Sequence, residues 1–270
     1  MPTPRPALKR TTKGLGAFAR QVASGGRSTA LLTTDEQKDR ILSDRFLRLV
    51  YTSLYSELLS CLNLRSDDTV VEIGSGAGIL RDVTDHRLVF MTDLAPGPGV
   101  SVIADARDLP FRTSSIRGLV LKDSLHHIPD VEAFLHEAER VLQNGGHIAI
   151  IDPYWGPISR FVYRQFHPEP FEPHAPTWEF ASRGPNDSNQ ALLWILLRRD
   201  RSTFEKMFPS LKVKEMGPRV GPSFLLSGGL HGRSIVPGRF LAMLYAWESK
   251  RGRWFDYFRF FFLVNIEKVN

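Results

Sequence analysis

The spacing of hydrophobic positions changes along the chain, and these changes predict the order of helices and strands. Between Thr34 and Leu64, apolar residues recur at helical spacing behind a Thr-Thr-Asp start, which predicts a helix. Further on, the stretches typical of strands are "TVVEIG", "RLVFMTD", "VSVIADA", "IRGLVLKDSL" and "HIAIIDPY", and "DVEAFLHEAERVLQNGG" is typical of a helix. Runs that are apolar at nearly every position indicate strands buried on both faces. The alternation predicts a doubly wound α/β domain with a parallel sheet.

The second half of the chain interrupts this alternation twice. "PISRFVYRQF" predicts a short helix, but the prolines from Pro168 onward forbid a continuous one. "NQALLWILLRRDRSTFEKMF" and "GRFLAMLYAWESKRGR" predict helices, "LKVKEMG" an edge strand, and "WFDYFRFFFLVNIEKV" a late central strand. We expect an arm over residues 1–33, one domain over 34–270, and two cap insertions within it at about 154–200 and 221–253.

The positive charge is concentrated at the N-terminus. The arm carries six basic residues and no acid, which leaves 29 basic residues against 29 acidic ones in the rest of the chain. It is either a solvated extension or a segment that contacts anionic lipid or nucleic acid. No stretch reaches the roughly 18 apolar residues of a membrane span. Because Cys61 is the single cysteine, an internal disulfide framework is excluded. These features favour a cytoplasmic protein that works at a membrane surface.

A glycine-rich turn follows the first predicted strand, in the stretch "VVEIGSGAGIL". Gly74, Gly76 and Gly78 alternate with other residues, whereas a dinucleotide fingerprint needs G-x-G-x-x-G, and position 79 is Ile. Ligands of doubly wound sheets bind at the carboxyl ends of the strands. The turn therefore predicts a ligand that lies against the backbone but is not a dinucleotide.

Three acids stand near the ends of successive predicted strands. Glu72 would repel a pyrophosphate and attract an amine. Asp93, 19 residues after the first glycine, is placed to accept hydrogen bonds from ribose hydroxyls. Asp105 could accept from the exocyclic amine of a base. Together they predict a nucleoside ligand without phosphates.

Five motifs in this order, "VVEIGSGAG", "FMTDLA", "VIADARDLPF", "LKDSLHHIPD" and "EAERVLQNGG", resemble the class I S-adenosylmethionine-dependent methyltransferases. The quinone-type and small-molecule methyltransferases are the most similar group, and the resemblance covers about Asp67–Pro153. It implies a Rossmann-like, seven-stranded, mostly parallel sheet with a late antiparallel strand, and S-adenosyl-L-methionine as cofactor. In one departure, "LAPGPGV" is too short and too rich in Pro and Gly for the helix that usually follows the ribose-binding acid.

The resemblance also implies roles for individual residues. Its cofactor-binding residues would be Glu72, Gly74, Ser75, Gly76, Gly78, Asp93, Leu94, Asp105, Ala106 and Lys122. His126 and His127 would flank the methyl group, and either is a candidate general base. Alternatively, neither histidine titrates and the enzyme acts by positioning its substrates.

The first insertion follows a strand end, where the methyl acceptor is expected. Tyr154, Trp155 and Tyr163 could form an apolar slot, and Arg160 and Arg164, four residues apart, could hold an anionic group. The alternative is an insertion that packs only on itself. The nearby "HPEPFEPH" resembles a metal-ligand cluster, but its prolines prevent helical ligand spacing and no further ligand cluster is near, so we expect no metal site.

We therefore expect methyl transfer from S-adenosyl-L-methionine to oxygen or carbon of a hydrophobic small molecule, a class that includes lipid-linked acceptors, with peripheral membrane contact. Two alternatives are a methyltransferase that uses the basic arm on RNA or protein, and a non-catalytic relative of the fold. We do not expect nucleic acid as a partner, and the sequence makes no prediction of oligomeric state.

Overall fold

The computed structural model describes residues 32–86, 88–167, 169–182, 187–230 and 232–270. The predicted basic arm lies outside these residues except at its last two positions. The predicted N-terminal helix is two helices, α1 (Thr34–Ser43) and α2 (Arg45–Ser60). They are separated at Asp44, whose backbone is extended and whose side chain accepts hydrogen bonds from the N–H groups of Phe46 and Leu47. An acid in this position caps a new helix and so ends the preceding one.

Seven strands form one sheet in the order β3-β2-β1-β4-β5-β7-β6. The strands are β1 (Val70–Ile73), β2 (Val89–Asp93), β3 (Val102–Ile103), β4 (Ile116–Lys122), β5 (Leu142–Pro153), β6 (Leu211–Arg219) and β7 (Phe261–Lys268). β7 is antiparallel to both of its neighbours, and the pairs among β1 to β5 are parallel. The expected Rossmann-like sheet with one late antiparallel strand is confirmed, and β6 is at its edge as predicted.

The remaining helices lie between the strands. They are α3 (Ile79–Val83), α4 (Val131–Val141), α5 (Ser159–Phe166), α6 (Leu192–Trp194), α7 (Arg201–Met207), α8 (Pro222–Leu226) and α9 (Gly238–Ser249). A π-helix over Ile195–Arg199 follows α6, and 3₁₀-helices cover Leu125–His127 and Arg253–Phe258.

Three predictions about elements need correction. The helix predicted from residue 189 is in three parts, with a break at Asp200. The late strand begins only at Phe261, because Arg253–Phe258 are helical. The strand predicted over "VSVIADA" is limited to Val102–Ile103. The expected lack of a helix after β2 is confirmed, since residues 94–101 form turns.

The core lies on both faces of the sheet, as the apolar runs predict. All four residues of β1 are buried, and α2 packs on β4 and β5. Phe134 of α4 and Phe204 of α7 are fully buried. Because β1, β2, β4 and β5 are parallel, their carboxyl ends meet at one edge of the sheet, and that edge positions the site. No helix in the described ranges is both long and apolar enough to cross a membrane.

Candidate functional site

The glycine turn after β1 adopts backbone angles that favour glycine. Gly74, Gly76 and Gly78 have φ values of +66°, +47° and +69°. A Cβ on Gly74 would lie 2.7 Å from Cβ of Ser124, and one on Gly78 would lie 2.0 Å from the carbonyl oxygen of Pro98. A Cβ on Gly76 would meet nothing closer than 4.0 Å. Gly74 and Gly78 thus permit close packing of the chain, and Gly76 leaves open space where a ligand can approach.

The end of β2 is tied to this turn. Asp93 accepts hydrogen bonds from the N–H of Gly76 (2.9 Å) and from the N–H of Leu94 (2.8 Å). Ser75 is buried and its hydroxyl donates to the carbonyl oxygen of Thr92 (3.0 Å), so its side chain holds the two strand ends together. The side chain of Leu94 is 63% exposed and available to a ligand.

The Glu72 carboxyl group is the most perturbed acid near the turn. Its Oε1 accepts a hydrogen bond from the Tyr55 hydroxyl (2.7 Å), and burial raises the pKa of Glu72 to about 8. Its Oε2 is buried and has no hydrogen-bond partner among the described residues. Asp123 Oδ1 and Ser124 Oγ, just beyond the adjacent strand β4, are also buried without a hydrogen-bond partner among the described residues. Buried polar atoms are normally paired, so this group indicates a polar ligand.

The other predicted cofactor residues have partners within the chain. Lys122 is buried, pairs with Asp123, and lies over the rings of Tyr51 (5.1 Å) and Phe261 (4.6 Å). Asp105 forms an ion pair with Arg107 (2.6 Å), and the hydrogen bond from Arg107 lowers the pKa of the Asp105 carboxyl group. Ala106, between them, packs at the margin of the core.

The two candidate bases differ sharply in environment, and His126 lies between two carboxylates. Its Nδ1 is 2.9 Å from Oδ1 of Asp152, its backbone N–H donates to Asp152 Oδ2 (3.1 Å), and its Nε2 is 3.2 Å from Oε2 of Glu169. Burial alone would lower the pKa of His126, but the two carboxylates raise it, to about 10. His126 is therefore a buried imidazolium at neutral pH.

His127 is half-buried and neutral. Burial and the charge of His126 lower the pKa of His127. Its Nδ1 is 3.2 Å from the carbonyl oxygen of Asp187, an acceptor that fixes the proton on Nδ1. Nε2 then carries the lone pair, and it lies 3.8 Å from Oε1 of Glu169. Environments that separate the pKa values of neighbouring groups are typical of acid–base sites.

Sequence reasoning missed three members of this group: Asp152, Glu169 and Gln190. Gln190 Nε2 donates to Glu169 Oε2 (3.0 Å) and so holds the carboxylate in place. The expectation that "HPEPFEPH" lies far from other ligand-type residues is wrong, because Glu169 and the two histidines have donor atoms within 4.8 Å of one another. The hydrogen bonds and ion pairs described above are enough to explain why Glu169 and the two histidines lie together.

Of the three aromatic residues predicted to contact the substrate, Tyr154 and Trp155 line one small cavity and Tyr163 does not. Tyr154 stacks on Phe262 (5.3 Å), and Trp155 stacks on Phe171 (4.2 Å). Tyr163 is buried, and its hydroxyl donates to the carbonyl oxygen of Phe260. A cavity of about 90 Å³ is lined by Pro153, Tyr154, Trp155, Trp194, Arg198 and Phe262. The two predicted anion-binding residues, Arg160 and Arg164, are exposed on α5.

Comparisons with known proteins address the family. The model of a methyltransferase domain family matches residues 71–150. Two chloroplastic enzymes of Oryza sativa subsp. japonica, 2-methyl-6-phytyl-1,4-hydroquinone methyltransferases 1 and 2, are similar to the chain. The first is 30% identical over 174 residues, 56% of this chain and 44% of the relative. The second is 31% identical over 112 residues, 34% of this chain and 32% of the relative. The chain thus spans less than half the length of either relative.

A solved structure of geranyl diphosphate C-methyltransferase from Streptomyces coelicolor A3(2) is similar at 16% identity with a TM-score of 0.48, over 92% of this chain and 88% of that one. A similarity at this identity and TM-score supports no conclusion about function. The family match, in contrast, falls on the stretch that contains the glycine turn, Asp93 and the two histidines. Residues 71–150 therefore match a methyltransferase domain, and the resemblance of the chain to the class I S-adenosylmethionine-dependent methyltransferases is confirmed.

Proposed function

We propose that the protein transfers the methyl group of S-adenosyl-L-methionine to a hydrophobic small molecule, at oxygen or carbon. One observation carries the cofactor assignment: Glu72 Oε2, Asp123 Oδ1 and Ser124 Oγ are buried without partners beside the open space at Gly76. These atoms fit the polar methionine end of the cofactor. Its ammonium group can donate hydrogen bonds to them, and its positive charge would stabilise the ionised form of the buried Glu72 carboxyl group.

The remaining cofactor contacts follow from the strand ends. Asp93 already accepts two backbone N–H groups, which fix its carboxylate for the ribose hydroxyls. The exposed Leu94 side chain would cover the adenine in place of the missing helix. For Asp105 and Ala106 we keep the expected adenine contact, with Arg107 holding the Asp105 carboxylate in position.

The cofactor supplies an activated methyl group, and the chain must align the acceptor with it and exclude water. We assign His127 as the general base, because its neutral Nε2 can take a proton from an acceptor hydroxyl or carbon acid. His126 cannot do so in this arrangement, since it is already protonated and its Nε2 faces Glu169. It orients Glu169 and lowers the pKa of its neighbour His127.

The acceptor class rests on the aromatic residues after β5. Asp152, near the end of β5, contacts His126, and Tyr154 and Trp155 of the small aromatic cavity come two and three residues later in the chain. We therefore place the acceptor in this apolar slot, on the same side as the two histidines. A flat, hydrophobic ring system would suit stacked aromatic walls. The rice relatives are named for a hydroquinone, which has this character together with an acidic hydroxyl. The segments at about 154–200 and 221–253 would act as the cap.

We further propose that the protein works in the cytoplasm at a membrane surface, where a lipid-linked acceptor is available. The six basic residues of the arm could each contribute about 1 kcal/mol near an anionic surface. Deletion of residues 1–28 should weaken binding to anionic vesicles and reduce its salt dependence, while turnover of a soluble acceptor stays unchanged.

Calorimetry with S-adenosylhomocysteine and NAD tests the cofactor. S-adenosylhomocysteine should bind and NAD should not. If NAD binds and S-adenosylhomocysteine does not, the assignment is wrong. A transfer assay with the labelled cofactor and a set of alkylated hydroquinones then tests the acceptor, and incorporation into none of them would remove the hydroquinone class.

A further inference from the structure

A second, larger cavity lies at the carboxyl end of β6, away from the cofactor turn. Its volume is about 590 Å³, and it is enclosed by the end of β6, the end of α9 and the 3₁₀-helix Arg253–Phe258. Five arginines and three acids line it: Arg198, Arg219, Arg251, Arg253 and Arg259, with Glu57, Glu248 and Asp256. Neither the methyltransferase match nor the proposed reaction gives this cavity a role.

All three acids have partners within the chain and leave the other arginines unmatched, since Asp256 forms an ion pair with Arg259. Glu57 pairs with Arg219. Glu248 accepts hydrogen bonds from the N–H of Gly221 (3.1 Å) and from both the N–H (2.6 Å) and the hydroxyl (2.8 Å) of Ser223. In the described part of the chain, no carboxylate forms an ion pair with Arg198, Arg251 or Arg253. The cavity therefore has a local excess of positive charge.

Arg259 is a buried side chain that is held in place in the cavity and could bind an anion. The residue is only 7% exposed, and its Nη2 donates to the carbonyl oxygens of Glu248 (3.1 Å) and Arg251 (3.3 Å). Its Nε lies 3.4 Å from Oδ1 of Asp256 without a hydrogen bond. Arg251 Nε is also buried without a partner among the described residues. An anion with several oxygens would satisfy these donors, and arginine is the side chain best suited to phosphate.

Four exposed aromatic residues adjoin lining residues of this cavity along the chain, and we call them its aromatic rim. Trp247, Trp254, Tyr257 and Phe258 are 43%, 59%, 58% and 38% exposed. Arg251 lies over the Trp247 ring (4.0 Å), so cation and aromatic ring form one surface. The segment 233–259 holds six basic residues and two acids. Trp and Tyr concentrate at the headgroup level of membranes, where basic residues meet lipid phosphates.

We propose that this cavity binds the phosphate of an anionic phospholipid, with Trp254, Tyr257 and their aromatic neighbours inserted between the headgroups. The charge complementarity and the exposed aromatic rim favour a lipid over a soluble phosphate. Arg198 also lines the small aromatic cavity beside Tyr154 and Trp155. Docking by this surface would therefore place the proposed acceptor slot next to the membrane. In this respect the inference extends the proposed function, although lipid binding does not depend on it.

The test is co-sedimentation of the full chain with vesicles of phosphatidylcholine alone and of phosphatidylcholine with phosphatidylglycerol. The double variant R251A/R253A should bind the anionic vesicles about 25-fold more weakly, because each basic residue near the surface contributes about fivefold, or about 1 kcal/mol. The matched control R65A/R112A removes two exposed charges elsewhere and should change binding little. W254A/Y257A should weaken binding at unchanged net charge, whereas L49A, at another exposed apolar position, should not.

Equal vesicle binding by the wild type and R251A/R253A would overturn the proposal, because the basic arm is present in both. The same holds if the wild type stays in solution with both vesicles while inorganic phosphate raises its melting temperature and R251A/R253A abolishes that rise. The cavity would then be a site for a soluble anion. S-adenosylhomocysteine binding, measured on the same samples, reports separately on the proposed function.

Discussion

The raised pKa of Glu72 makes cofactor binding a proton-releasing event. Burial raises this pKa to about 8, so about 0.9 of the molecules carry a neutral Glu72 at pH 7. An ammonium group placed against Oε2 favours the carboxylate, and binding should release about 0.9 proton at pH 7 and almost none well above pH 8. A carboxyl group with a raised pKa becomes ionised only as the pH rises toward that pKa. Because the ammonium group of the ligand favours the ionised form, the affinity should increase with pH. Between pH 5.5 and pH 7 the increase should be about 30-fold, or about 2 kcal/mol.

Isothermal titration calorimetry with S-adenosylhomocysteine measures this release directly. At pH 7, the binding enthalpy in buffers of different ionisation enthalpy should change with a slope of about 0.9 proton per site. Glu72→Gln keeps an acceptor for the Tyr55 hydroxyl but cannot ionise, so its slope should be near zero. Normal binding by the wild type with no slope, or the same slope in Glu72→Gln, would show that Glu72 does not release the proton.

The remaining predictions concern the turn and the two histidines. Gly76→Arg should abolish S-adenosylhomocysteine binding in calorimetry, because Arg is strained at the φ of +47° and its side chain fills the open space, whereas Gly238→Arg, at a position without a positive φ and with no atom within 4 Å of its Cβ, should bind normally. His127→Ala should lower kcat by about 10²–10⁴ at nearly unchanged cofactor affinity, and His136→Ala on α4 should not; equal turnover in both would favour catalysis by positioning alone. His126, with its pKa raised to about 10, stabilises the fold fully below pH 6.5 and loses this contribution as the pH rises through 10. Urea denaturation from pH 7 to pH 10 should show this loss in the wild type and not in His126→Gln.

The sequence predicted those parts of the fold that depend on local pattern. Apolar runs identified the strands, and the glycine spacing located the ligand turn, because both signals lie within a few adjacent residues. The roles of individual glycines depended on packing that no spacing shows: Gly78 is required by the carbonyl oxygen of Pro98, twenty residues away. The break between α1 and α2 does have a local signal, because Asp44 is an acid at the start of a helix. The apolar spacing continues on both sides of Asp44 and therefore predicted a single helix.

The candidate site was less predictable, because its decisive contacts join distant segments. Tyr55 reaches Glu72 from the buried face of α2, and no local pattern connects two residues that are 17 positions apart on different elements. Glu169 comes from a proline-rich segment whose path has no periodicity, and its pairing with His126 decides which histidine is charged. The family resemblance could propose two bases, but only the three-dimensional arrangement of carboxylates distinguishes them.

The late strand pair has a consequence for how such a protein can change its substrate over evolution. β6 ends at Arg219 and β7 begins at Phe261, and these two residues are paired neighbours in the sheet. Because the connection leaves and re-enters at adjacent points, its length is not constrained by the sheet, and doubling a flexible loop costs only about 0.6 kcal/mol in closure entropy. The carboxyl end of β6 lies at the same edge as the ends of β1 and β4, so any sequence inserted there emerges on the side where ligands bind. New specificities can thus arise by exchange of this one connection while the sheet and the glycine turn stay intact.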